Sequence, residues 1–327
     1  MERNFEMINI RGTNRRFLVS VVLVTMAIVF YYLTFRQTLR SIPTNDMETI
    51  QTKVVLPSPR NRTGTWIGNT WIPPAGWQYH TPCELRQLYR GKNIMWLGDS
   101  TGRRTAMNLY ALLQWNHSNF LTTELSSPQL IDITRHGSFE CDQYTDAHAR
   151  PTICRTLDGG GTITFVPLMC HKHVEHFFQS EDTLNITQNM DLIVVALGIW
   201  EVLRPWDCKA DNRTLENITS AAIHSVYQFE RSTHKRIIWR TSGYPDHGPK
   251  STDAVTKINE MVMDMIDQTT EVDNTHFSYL NWGGAVQPRS KPGERIAGDV
   301  KAHYGLEPRL VLIEMITNQL QEEGFFG

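Results

Sequence analysis

Net charge is nearly absent from this chain: 32 Lys and Arg stand against 34 Asp and Glu, a formal charge of −2 over 327 residues. A nucleic-acid partner ordinarily leaves a basic stripe, so that class of function is set aside. No internal repeat is visible. No phosphate-binding glycine motif is present either, because Gly159-Gly160-Gly161 lacks the following Lys-Ser/Thr and reads as a turn. Cys170-His171-Lys172-His173-Val174-Glu175-His176 gathers metal-ligating residue types. It lacks the spacing of zinc fingers and of HExxH enzymes, and no second ligand cluster accompanies it. No metal is expected. Cysteines number only five (Cys83, Cys141, Cys154, Cys170, Cys208). In an oxidising compartment two disulfides and one leftover thiol fit that count; Cys141–Cys154 is a possible short local bridge.

What the chain does have begins near its N-terminus. Between Arg16 and Arg36, residues Phe17 to Phe35 run without a charge. A helix needs about 20 apolar residues to cross a bilayer, whereas the apolar region of a cleaved signal is shorter and ends in small residues. The expectation is one transmembrane signal anchor over 17–35, with a cytoplasmic tail at 1–16. Five Asn-X-Ser/Thr acceptors, at Asn61, Asn116, Asn185, Asn212 and Asn217, all follow this segment. They place the body of the chain in a lumen, in a type II orientation. Residues 36–65 are polar and aperiodic and read as a stem, leaving 66–327 as the lumenal domain.

Apolar runs and helical patterns alternate through that domain. Strands are expected at 93–97, 162–168, 191–197, 236–239 and 277–280, and helices at 101–114, 221–231, 253–267 and 306–322. Asp191 to Leu197 (DLIVVAL) is the continuous apolar run of a strand buried on both faces. Alternation of this kind predicts an α/β fold with a mostly parallel sheet flanked by helices in three layers. In such sheets ligands sit beyond the carboxyl ends of the strands.

MWLGDSTGRR, residues 95–104, puts Ser100 at such an end. A serine at a strand-to-helix junction can cap the helix or act as a nucleophile, and the second role needs a base, a group to orient it and oxyanion donors. Asp299 and His303, four apart, share a helical face and suit an orienter and a base. Asp273-Asn-Thr-His276 offers a second pair. Trp66, Trp71 and Trp77, in a loop-like segment around Pro73-Pro74, suit either packing or stacking on sugar rings.

From Trp71 to Arg103 the chain reads W-I-P, Cys83-Glu-Leu, then G-K-N-I-M-W-L-G-D-S-x-x-R. This stretch resembles the opening of the PC-esterase branch of the SGNH (GDSL-like) superfamily, which includes trichome-birefringence-like and Cas1-type O-acetyltransferases. The resemblance implies an SGNH-like fold and Golgi residence. It matches Ser100 to the nucleophile, Arg103 to an oxyanion or acyl contact, and Asp299 and His303 to the closing Asp/His block. That block is D-x-x-x-H here and usually D-x-x-H in the family. Gly137 matches the glycine block, and Gly198-Ile199-Trp200-Glu201 stands where the superfamily has G-x-N-D, so the asparagine is missing. The implied activity is O-acetyl transfer to a polysaccharide or glycan, or hydrolysis of its acetyl esters, through an acyl-serine. No cofactor is implied beyond an acyl donor. A non-catalytic glycan-binding or scaffold relative is the competing expectation.

Overall fold

The computed structural model describes residues 58–67, 70–114, 141–142, 152–155, 160–208, 212–245, 249–271, 275–289, 304 and 306–327. The expected anchor at 17–35 and tail at 1–16 lie outside these residues. Among the described residues no helix is long and apolar enough to cross a membrane.

The α/β expectation holds. A seven-stranded sheet has the order β4-β5-β6-β3-β7-β8-β9. Its strands are β3 (Asn93–Gly98), β4 (Cys141–Asp142), β5 (Thr152–Arg155), β6 (Thr162–Pro167), β7 (Leu192–Ala196), β8 (Arg236–Arg240) and β9 (Phe277–Leu280). The run β6-β3-β7-β8-β9 is parallel throughout, and β4 and β5 close one edge in antiparallel fashion. All five residues of β7 are buried, as its unbroken apolar run requires of a strand covered on both sides.

Side chains along each strand alternate between two cores. Ile94, Trp96, Val194 and Ile238 face one layer, formed by α2 (Ser100–Gln114) and α10 (Leu306–Glu322). Met95, Leu97, Ile193, Val195 and Trp239 face the other, formed by α3 (His171–Gln179), α7 (Leu215–Thr233) and α8 (Pro249–Thr270). The closing helix has the expected bounds, whereas α7 and α8 run longer than the periodicity alone marked. α7 begins where Thr214 accepts the Asn217 N–H at 3.2 Å, and ends at His234, whose φ of 53° is left-handed. A capping box of Thr81 and Glu84 starts the short helix α1 (Pro82–Leu88).

One expectation changes in part. Trp66 and Trp71 lie opposite one another in two paired antiparallel strands, β1 (Thr65–Ile67) and β2 (Thr70–Ile72), whereas Pro73, Pro74 and Trp77 lie outside any helix or strand, as expected. The three rings are used in packing. Trp66 donates to the Ala285 carbonyl at 2.7 Å, Trp71 to Thr63 at 2.9 Å and Trp77 to the Glu322 carboxylate at 2.7 Å. Arg60, within the expected stem, pairs with Asp264 and Asp267 of α8.

Of the cysteines, Cys170 and Cys208 form a disulfide and Cys83 is exposed as a thiol. Cys141 and Cys154 are register partners across β4 and β5; their side chains lie outside the description. Four acceptor asparagines, Asn61, Asn185, Asn212 and Asn217, are exposed, and Asn116 lies outside the described residues.

Candidate active site

β3 delivers its serine to the carboxyl edge of the sheet. Gly98 is the last residue of β3, and a Cβ there would stand 2.5 Å from the Ala196 carbonyl. Only glycine lets β3 and β7 close to this distance at their ends. Asp99 follows as the helix cap: its Oδ1 accepts the N–H of Thr101 at 2.8 Å and of Gly102 at 3.4 Å. Ser100 is the first helical residue, half-buried, and Arg103 stands one turn on and exposed.

Capping of the Thr101 and Gly102 amides thus falls to the aspartate of G-D-S, and Ser100 faces a cavity. The cavity has a volume of about 690 Å³ and is lined by Ser100, Arg103, Phe165, His173, His176 and Trp200 among others. Asp99 is almost fully buried. Burial pushes its carboxyl above the usual carboxylate range, against the pull of the Arg240 guanidinium and of the two capped N–H groups. Arg240, last residue of β8, is also buried, with its guanidinium 4.6 Å over the Trp282 ring. Burial lowers its pKa to about 10, with Asp99 and Tyr304 opposing the change.

α3 lines the cavity through His173, His176 and Phe177, and follows β6 after three residues. β6 pairs β3 up to Gly98 and Pro167, and the Leu168 N–H donates to the Gly98 carbonyl at 2.9 Å. Three further contacts fix the start of α3. Cys170 is bonded to Cys208, the His171 N–H donates to Glu201 Oε1 at 2.6 Å, and His171 Nδ1 meets Thr219 Oγ1 at 2.7 Å. The Met169 N–H donates to His173 Nδ1 at 3.3 Å. His173 is held below its ordinary pKa by burial and by the neighbouring Lys172 charge.

After β7, Gly198 takes a φ of +117°, and a Cβ there would meet Ser242 at 3.0 Å. The chain then turns Trp200 to the cavity and Glu201 inward to His171.

Ser100 and Arg103 therefore share one cavity, with Gly198 in the neighbouring strand-end loop. Gly137, Asp273, Asp299 and His303 lie outside the described residues. His276 does not join the serine. It precedes β9 at the amino edge, donates its N–H to Glu230 at 2.9 Å, and has Arg236 Nη2 3.3 Å from its Nδ1. Through the register Arg236, Leu192 and Ile94 are level, and Gly98 is four residues, about 13 Å, further up the sheet. That separation removes the Asp273/His276 pair as partner of Ser100: the spacing within D-x-x-H is local, and the edge on which it falls is set by the sheet. Tyr304, by contrast, is fixed beyond the end of β8. Its hydroxyl donates to the Tyr244 carbonyl at 3.0 Å and accepts the Tyr244 N–H at 2.9 Å, and its ring meets Trp282 at 5.2 Å.

Of the Cys170–His176 cluster, only Cys170 joins a group of possible ligands among the described residues: its sulfur, Cys208 and Glu201 have ligand atoms within 4.8 Å of one another. The two sulfurs are bonded to each other, so they offer no thiolate to a metal. Reading the sequence alone passed over Asp99 as the cap, His173 as part of the cavity and the Cys170–Cys208 bridge. A preference of helix N-termini for Asp was the available sign of the first; the other two required the packing of α3.

No family model matches this chain, and no curated protein does. Similar solved structures include a mutant of Axe2, an acetyl-xylooligosaccharide esterase from Geobacillus stearothermophilus. It is 15% identical, with 72% of this chain and 95% of that one covered, at a TM-score of 0.43. Axe2 itself, an acetylxylan esterase, is 12% identical over 73% and 96% of the two chains, with a TM-score of 0.42. LAE5, an α/β hydrolase from the metagenome of Lake Arreo, is 13% identical over 73% and 97%, with a TM-score of 0.41. Scores this low leave the functional reading to the chain's own geometry.

Proposed function

We propose that this chain is an acyl-transfer enzyme of SGNH type acting on a carbohydrate, held in a Golgi or other secretory membrane by the 17–35 segment. Ser100 Oγ attacks the carbonyl carbon of an acetyl ester while its proton passes to His303, oriented by Asp299. The tetrahedral intermediate collapses as the imidazolium returns that proton to the departing alcohol, leaving an acyl-serine. A sugar hydroxyl then takes the acyl group, giving O-acetylation, or water takes it, giving acetate. Transfer is the preferred outcome.

One observation carries this reading: Ser100 opens a helix at the carboxyl end of β3, facing a cavity of about 690 Å³ beside Arg103. The neighbouring residue of His303, Tyr304, is bonded to the loop after β8 at that same edge, which supports His303 as the base. The resemblance in residues 71–103 adds the substrate class.

Full-length protein in detergent is assayed with a fluorophosphonate probe and for acetate release from acetylated xylan. Ser100→Ala is expected to abolish labelling and to lower turnover by roughly 10⁴–10⁶-fold. Labelling that persists in Ser100→Ala refutes the nucleophile; no labelling and no turnover in wild type favours a glycan-binding relative. Endoglycosidase treatment should increase gel mobility, and unchanged mobility would count against a lumenal domain.

A further inference from the structure

We infer that His173 is a catalytic hydrogen-bond donor of this site, presenting Nε2–H to the oxyanion in place of the asparagine that the chain lacks. The inference rests on the acyl-serine reading above.

Position comes first. The Ser100 and His173 segments are joined through backbone hydrogen bonding: Leu168 donates to Gly98, two residues before the serine, and the next amide, Met169, donates to the His173 ring. Both side chains line the same cavity. The turn that carries His173 is held by the Cys170–Cys208 bridge, by Glu201 on the His171 amide and by Thr219 on the His171 ring. A donor fixed before the reaction is what oxyanion stabilisation requires, since no reorganisation is then needed as charge develops.

The protonation state follows from the partner. An amide N–H can only donate, so Nδ1 of His173 presents its lone pair to Met169, and in the neutral ring the proton resides on Nε2. Burial and the Lys172 charge disfavour the imidazolium. The ring consequently has no free lone pair facing the cavity with which to take the serine's proton. It is built to donate, as a neutral imidazole can toward a carbonyl oxygen. Arg103, which also lines the cavity, is exposed; its long side chain has to be ordered at each encounter. At the loop after β7, Trp200 fills the cavity side and Glu201 turns away to hold α3. That arrangement replaces a side-chain amide with a histidine brought in from the neighbouring helix.

The test uses full-length protein and p-nitrophenyl acetate, comparing wild type, Ser100→Ala, His173→Ala and His173→Gln, with each variant's thermal midpoint checked against wild type. Loss of one oxyanion donor typically costs about 10²–10³-fold in kcat. His173→Ala is expected to lose that much with KM changed less than about threefold, the signature of an interaction made in the transition state. His173→Gln, which keeps an N–H near the Nε2 position, is expected to recover at least about tenfold over His173→Ala. An unchanged kcat, a loss confined to KM, or a Gln variant as slow as the Ala variant overturns the donor role; the last result would mark His173 as a base. Wild-type turnover in Ser100→Ala instead overturns the acyl-serine reading itself. An inactive Ser100→Ala beside an undiminished His173→Ala removes His173 alone.

Discussion

Strand β8 carries an arginine at each end, and the two are treated in opposite ways. Arg236, at the amino edge, pairs with Glu323 and lies over the Phe325 ring, partly open to solvent. Arg240, at the carboxyl edge, is 1% exposed, and its Nε and Nη1 have no hydrogen-bond partner among the described residues. Asp99, whose charge acts on it, likewise leaves Oδ2 without a partner. An incompletely partnered buried charge is costly, and such groups concentrate at functional edges. The amino edge follows the rules of an ordinary surface, whereas the carboxyl edge holds its charges in a low-dielectric layer beneath Ser100. A third case, His80, is buried but fully partnered: Nδ1 meets Glu314 Oε2 at 2.7 Å and Nε2 meets Gln321 Oε1 at 2.8 Å.

This contrast can be broken by substitution. The largest effect is expected for Arg240→Met, which removes the buried guanidinium over the Trp282 ring and the cation whose charge acts on Asp99; urea unfolding should show a loss of about 2 kcal/mol or more. Adding Asp99→Asn should recover part of it, and a double variant no more stable than the single would dissociate the two groups. Arg236→Met should cost about 1 kcal/mol or less, as a pair at a partly exposed edge. Equal losses at both ends of β8 would erase the distinction between the edges.

The smallest effect concerns pH. Burial alone would lower the His80 pKa, but the Glu314 carboxylate and Gln321 together raise it above its ordinary value. A group raised in the folded state stabilises fully below its unfolded pKa, about 6.5, and that contribution is lost as pH rises through the folded value. The thermal midpoint of wild type should therefore fall as pH rises through that raised value, and His80→Phe should flatten that slope. A slope unchanged in the variant would assign it elsewhere.

Much of the architecture was legible from runs of residue type. All five parallel strands fall within a residue or two of the expected segments, because strands covered on both faces are rich in apolar residues, in β7 without a break. G-D-S was legible as a strand-to-helix junction, though not that Asp99 takes the cap. Hairpin β1–β2 was missed, because each of its strands is three residues long and its tryptophans gave no period. His276 misled for another reason: a local spacing carries no information about which end of a sheet it will occupy.

What the sequence alone determined is the class of fold, the strand that ends in Ser100 and the helix that follows it, since these depend on neighbours within a few residues. Only the tertiary structure decided that α3 brings His173 to the serine's cavity and that β9 leaves His276 at the far edge. It also decided that Arg240 is buried while Arg236 is not. Each of these depends on strand order and register, which pair residues far apart in the chain and are fixed by packing the two cores against one sheet.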